Sequence, residues 1–254
     1  MTGAVARPRT GPIDRAYRAL GDPRARPNVG WVRRLTGASD AEVRRVLAEG
    51  DALVPMGRAI RAAHRASGRA IYAQIRAPFE LYALVRLLRP ERVVETGVSS
   101  GVSSAHFLAA LRRNRRGRLY SIDLPTYQRG PTLGRGESAV SLPPGRGPGW
   151  VVPERLRGRW DLRLGSSETL LPQLVAELPS IDLFLHDDRH TPRHLAFELA
   201  TVRPRLSPGA VVLADNTAWT GAAFPRFARS LRVPWSRRGR TDLVGLRAPV
   251  RAKP

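Results

Sequence analysis

The chain has 254 residues, a formal charge of +22 and no cysteine. That length can bury one substantial core, and the missing cysteine excludes disulfide frameworks, thiolate zinc sites, iron–sulfur chemistry and cysteine nucleophiles. Lys253 is the only lysine, so the charge is nearly all arginine; it reads as solvated helix faces rather than a nucleic-acid footprint, because net charge speaks to solubility and non-specific binding.

Residues 1–30 mix Pro, Gly and Arg with little apolar periodicity and predict a flexible arm, with at most a short helix over 13–20. The first ten lack the apolar stretch of a secretory signal, no run approaches the roughly 20 apolar residues of a membrane span, and a cytoplasmic location is the default expectation. A helical preface is expected over 31–90. Ser39 with Glu42 three residues on is a capping signal, and Val43, Val46 and Leu47 share one face. Ile71, Ile75, Phe79, Leu81, Leu84 and Leu87 continue the pattern, Pro78 marks a helix start or kink, and Arg89-Pro90 stops it. From 91 to 254 the pattern becomes strands over 92–95, 119–123, 161–164, 181–186 and 210–215, alternating with helices over 102–113, 168–177 and 192–203. Such alternation predicts a mostly parallel sheet covered on both faces. Segments 231–235 and 242–246 are expected to form an antiparallel hairpin at the sheet edge. The Gly/Pro-rich interval 125–153 reads either as a lid or substrate wall or as plain disorder.

The run Val93-Val94-Glu95-Thr96-Gly97-Val98-Ser99-Ser100-Gly101-Val102-Ser103-Ser104 is a strand, a small-residue turn and a helix start. Ligands of open α/β sheets sit outside the carboxyl ends of strands, where glycine lets a backbone come close. The turn lacks the third glycine of the dinucleotide fingerprint and the lysine of a phosphate loop, which weakens nicotinamide and triphosphate readings; a tight connection without a ligand is the plain alternative. Asp123 ends the next strand, where a ribose would present its vicinal hydroxyls, although Asp is also a common turn residue. Strands four and five end in Asp187 and in Asp215-Asn216. These hard oxygens on one sheet edge suit Mg²⁺; a helix cap and a turn are the alternative. A histidine's ordinary pKa lies near neutral, so His190 suits a general base, a metal ligand or a structural group.

On these residues the chain resembles the class I S-adenosylmethionine-dependent methyltransferases, and among them the small-molecule O-methyltransferases of the catechol type and their relatives. The resemblance runs from Val93 to about Asn216. It implies a doubly wound, mostly parallel seven-stranded α/β sheet of Rossmann-like form with an N-terminal helical extension. It further implies S-adenosylmethionine as cofactor, with Mg²⁺ or another divalent cation assisting, and O-methylation of a natural-product or catechol-like small molecule. By the same resemblance Glu95, Gly97, Ser99, Gly101 and Ser103 hold the methionine part of the cofactor and Asp123 its ribose. Ser167 and Glu168 border the adenine, with an ordinary helix N-terminus as the competing reading. Asp187, Asp215 and Asn216 hold the metal. His190 stands where catechol-type enzymes carry a lysine base, in the manner of relatives with an Asp-Gly-Asp-His strand end, so Asp187 and His190 are the expected catalytic pair and His186 a neighbouring structural group. A nucleic-acid methyltransferase is the first rival, but cytosine C5 chemistry needs a thiolate and no Asn-Pro-Pro-Tyr or Asp-Pro-Pro-Tyr stretch occurs. A non-catalytic protein keeping the fold is the second. No membrane partner is expected, and homo-oligomerisation stays open.

Overall fold

The structure, a computed structural model, describes residues 27–67, 77–124 and 142–250. The helix expected over 13–20 and the first part of the Gly/Pro-rich interval lie outside them. Among the described residues four helices come first: α1 (Val29–Thr36), α2 (Asp40–Leu47), α3 (Val54–Ala66) and α4 (Pro78–Leu88), with a 3₁₀ stretch Ala48–Leu53 between α2 and α3. Residues 29 and 30, expected in the N-terminal arm, are helical, and residues 1–26 of that expectation lie outside the described ones. Asn28 caps α1 by accepting a hydrogen bond from the Trp31 backbone N–H at 2.9 Å, and Trp31, Val32 and Leu35 bury the inner face. The capping box of α2 forms as its sequence predicts, with Ser39 and Glu42 satisfying each other's backbone N–H groups. Pro78 opens α4, and Arg89 closes it in the left-handed conformation before Pro90.

The sheet has seven strands in the order β3-β2-β1-β4-β5-β7-β6: β1 (Arg92–Thr96), β2 (Arg118–Asp123), β3 (Trp160–Leu164), β4 (Ile181–His186), β5 (Leu206–Ala214), β6 (Trp235–Arg237) and β7 (Val244–Arg247). The first five are parallel, and β7 runs antiparallel to both β5 and β6. Between them lie α5 (Val102–Asn114), α6 (Ser167–Glu177), α7 (Pro192–Val202) and α8 (Ala223–Ser230). Two expectations need correction. Strand β5 begins at Leu206, four residues before the expected start, because its polar beginning pairs with Ile181 ahead of the apolar run. The hairpin does sit at the edge, but most of 231–235 is the exit from α8, a helix the sequence reading missed; α8 is short and holds Pro225, which hides its period.

Alternation along the strands makes two cores. Val93, Leu183, Leu185, Val211 and Leu213 face the layer of α1 to α5. Val94, Phe184, Val212 and Ala214 face α6, α7 and α8. The helical preface belongs to the first core: the Trp31 indole N–H donates to the Ser236 carbonyl at 3.2 Å, and the buried Arg238 and Glu80 pair at 2.6 Å. Connections reverse direction between β1 and β4, so a crevice opens at the carboxyl ends of those strands. No helix among the described residues is long and apolar enough to cross a membrane.

Candidate active site

The turn after β1 is shaped by two left-handed glycines. Gly97 has φ +82°, and a Cβ there would lie 2.0 Å from the Asp187 carbonyl oxygen; only glycine lets the ends of β1 and β4 abut. Gly101 has φ +95°, and its Cβ would meet the Gly149 Cα at 2.7 Å. The later part of the Gly/Pro-rich interval thus lies on the turn, where the Gly149 and Val151 N–H groups donate to the Ser99 and Ser100 carbonyls at 2.8 and 3.1 Å.

Asp123, at the end of β2, accepts from the Val98 and Ser99 N–H groups through Oδ2, at 2.7 and 2.8 Å. Burial raises its pKa against those bonds. Glu95 is fully buried beneath the turn, accepting from the Ser103, Ser104 and Ser121 hydroxyls at 2.5, 2.6 and 2.8 Å. Burial outweighs these donors and pushes its carboxyl up to about 7. Ser103 therefore reaches the turn through Glu95. The Ser99 hydroxyl, by contrast, is buried with no hydrogen-bond partner among the described residues.

Beyond β4 and β5 the structure brings Asp187, His190, Asp215 and Asn216 together. His190 Nε2 lies 3.4 Å from Asp187 Oδ1 and 3.3 Å from Asn216 Nδ2. Asn216 adopts φ +51°, a conformation Asn tolerates better than most residues. Burial, reinforced by neighbouring carboxylates, lifts both Asp187 and Asp215 to about 7. The half-exposed Trp219 sets its ring edgewise to His190 at 5.9 Å.

Ser167 and Glu168 begin α6, whose N-cap is Ser166. The Ser167 hydroxyl turns inward and donates to Asp188 at 2.7 Å, and Glu168 pairs at the surface with Arg189 at 3.1 Å. The sequence reading missed what Ser167 joins: a buried polar group of Asp188, His194, Glu198, His186 and Thr96. His194 and Glu198 stand four apart on one face of α7, a legible spacing; their meeting with Asp188 and Ser167 needs the folded chain.

A family model described as a methyltransferase domain matches residues 94–217, the stretch that carries the glycine turn, Asp123, Asp187, His190, Asp215 and Asn216. No curated protein matches the sequence. Solved structures do match. TomG, an O-methyltransferase of Streptomyces achromogenes involved in tomaymycin synthesis and crystallised with S-adenosylmethionine, is 20% identical over 84% of this chain and 91% of its own, with a TM-score of 0.52. An O-methyltransferase from Bacillus cereus crystallised with S-adenosylhomocysteine is 16% identical over 86% and 96%, TM-score 0.52. A methyltransferase from Geobacter sulfurreducens is 20% identical over 82% and 96%, TM-score 0.51. At these identities the likeness is one of fold, the Rossmann-like α/β fold that these methyltransferases share. Residues 94–217, just under half of the chain, match the methyltransferase-domain family.

Proposed function

We propose that this chain uses S-adenosylmethionine to methylate a hydroxyl of a small molecule, with a divalent cation at Asp187, Asp215 and Asn216 and with His190 as base. The observation that carries this reading is the meeting of the glycine turn, Asp123, Asp187 and His190 at the crevice between β1 and β4. The chain's residues fit the cofactor: a turn whose left-handed Gly97 brings the ends of β1 and β4 together and whose left-handed Gly101 lies against Gly149, a buried Ser99 hydroxyl with no partner among the described residues, and Asp123 to receive ribose hydroxyls. The neighbours crystallised with S-adenosylmethionine or its demethylated product support the same ligand.

When bound, S-adenosylmethionine supplies a methyl group on a positively charged sulfur. Asp187, Asp215 and Asn216 offer hard oxygens for Mg²⁺, which would orient an acceptor hydroxyl and ease loss of its proton. His190 Nε2, facing Asp187 and Asn216, is the atom placed to take that proton.

The test is calorimetry of S-adenosylmethionine binding, then methyl transfer to a panel of catechols and hydroxylated aromatics with Mg²⁺ or EDTA. His190→Ala is expected to lower kcat about 10²–10⁴-fold with cofactor affinity unchanged, and Asp215→Asn to remove the Mg²⁺ dependence. Transfer to RNA but to none of the panel, or activity indifferent to both substitutions, would overturn the reading.

A further inference from the structure

We propose a second metal site, separate from the one above, in which Asp188, His194 and Glu198 hold a zinc-like divalent cation that locks the loop after β4 onto α7. Each of the three places a donor atom within 4.8 Å of the other two. His194 Nε2 is the centre: Ser167 Oγ lies 3.0 Å away, Glu198 Oε1 3.1 Å and Asp188 Oδ2 3.2 Å. One ring nitrogen carries at most one hydrogen, so three oxygens around it, two of them anionic, exceed what a single N–H can serve. Donors sharing a small cation at bonds of about 2.0–2.2 Å stand roughly 3–3.4 Å apart, the spacing seen here.

The surroundings are those of a held site. Glu198 is fully buried; its Oε2 accepts from the Thr96 hydroxyl and from His186 Nδ1, each at 2.7 Å, which aims Oε1 at His194. Asp188 is fixed by the Ser167 hydroxyl. The other nitrogen of His194, Nδ1, faces Glu168 Oε1 at 3.6 Å, and Arg189 anchors Glu168. A ligating imidazole whose second nitrogen faces a carboxylate is the usual outer-shell pattern of protein metal sites. The nitrogen in the donor set favours zinc over Mg²⁺. Access exists from the Asp188 side, whose side chain is 31% exposed. Burial lowers the His194 pKa, but Asp188 and Glu198 overcome it and lift it to about 10.

Asp187 and Asp188 point in opposite directions, the first toward His190 and the second toward Ser167 and α7, so the sites can be emptied separately. The full chain, stripped with EDTA and dialysed, is titrated with zinc chloride against a chromophoric chelator. Wild type and Asp215→Asn are expected to share one tight zinc site of the same affinity, filled before any metal enters at Asp187 and Asn216, and to gain thermal stability. Asp188→Asn and His194→Gln are expected to weaken binding at least about tenfold. Should His194→Gln fail to fold by circular dichroism, Asp188→Asn, at a partly exposed position, decides. No zinc bound by wild type, equal affinity in Asp188→Asn, or loss in Asp215→Asn alone would overturn the proposal. None of these results bears on methyl transfer with Mg²⁺, which is assayed apart.

Discussion

Gly97 joins the two strands that build the crevice through one missing atom. With φ +82° and the Asp187 carbonyl occupying the Cβ position, Gly97→Ala must push β4's exit away from the turn. It is expected to cost more than about 2 kcal/mol and to weaken S-adenosylmethionine binding at least tenfold, readable by denaturant unfolding and calorimetry. Glu95 illustrates what residue identity leaves open. An acid near the end of β1 was legible in the sequence, yet its oxygens are met by three serines from α5 and β2, and only Ser103 was singled out in advance. The serine of β2 joins them through strand pairing, which puts Ser121 beside Glu95.

Elements are tied by a few polar contacts as well as by the cores. Arg86 of α4 grips Glu49 with Nε and Nη2, both at 2.8 Å, while the Tyr82 hydroxyl donates to the same carboxylate at 2.5 Å. Burial opposes the charge of Glu49, but Arg86 and Tyr82 prevail and hold its pKa below 4.5. The sign follows: the unfolded chain binds this proton first, so the contribution to stability is complete above about pH 4.5 and is lost as pH falls through the lowered folded value. Glu49→Gln is expected to cost about 1–3 kcal/mol at neutral pH and to flatten the acid limb of the stability profile, measured by urea unfolding from pH 3 to 7. The capping box of α2 and the Pro-opened α4 were legible because their signals are local. Helix α8 and the start of β5 were not, since packing on Phe184's face and pairing with β4 override weak local patterns.

At the scale of the molecule, the preface helices and the sheet share one core. Trp31 is fully buried, yet its indole N–H ends on a residue of β6. The chain is therefore expected to unfold in a single cooperative transition. Trp31→Ala is expected to cost about 3–5 kcal/mol and to shift that transition as a whole, by calorimetry and by far- and near-ultraviolet circular dichroism, rather than to release the preface alone.

The sequence by itself determined the β/α alternation, the glycine turn and the oxygen-bearing strand ends, because period, backbone freedom and side-chain chemistry are properties of a few adjacent residues. Only the tertiary structure decided that Asp187 and Asp188 face different partners, that Glu95 rests on serines, and that Asp188, Ser167, His194 and Glu198 meet. Those outcomes depend on strand order and on which face each crossover helix covers, and both are fixed by burial of the whole chain.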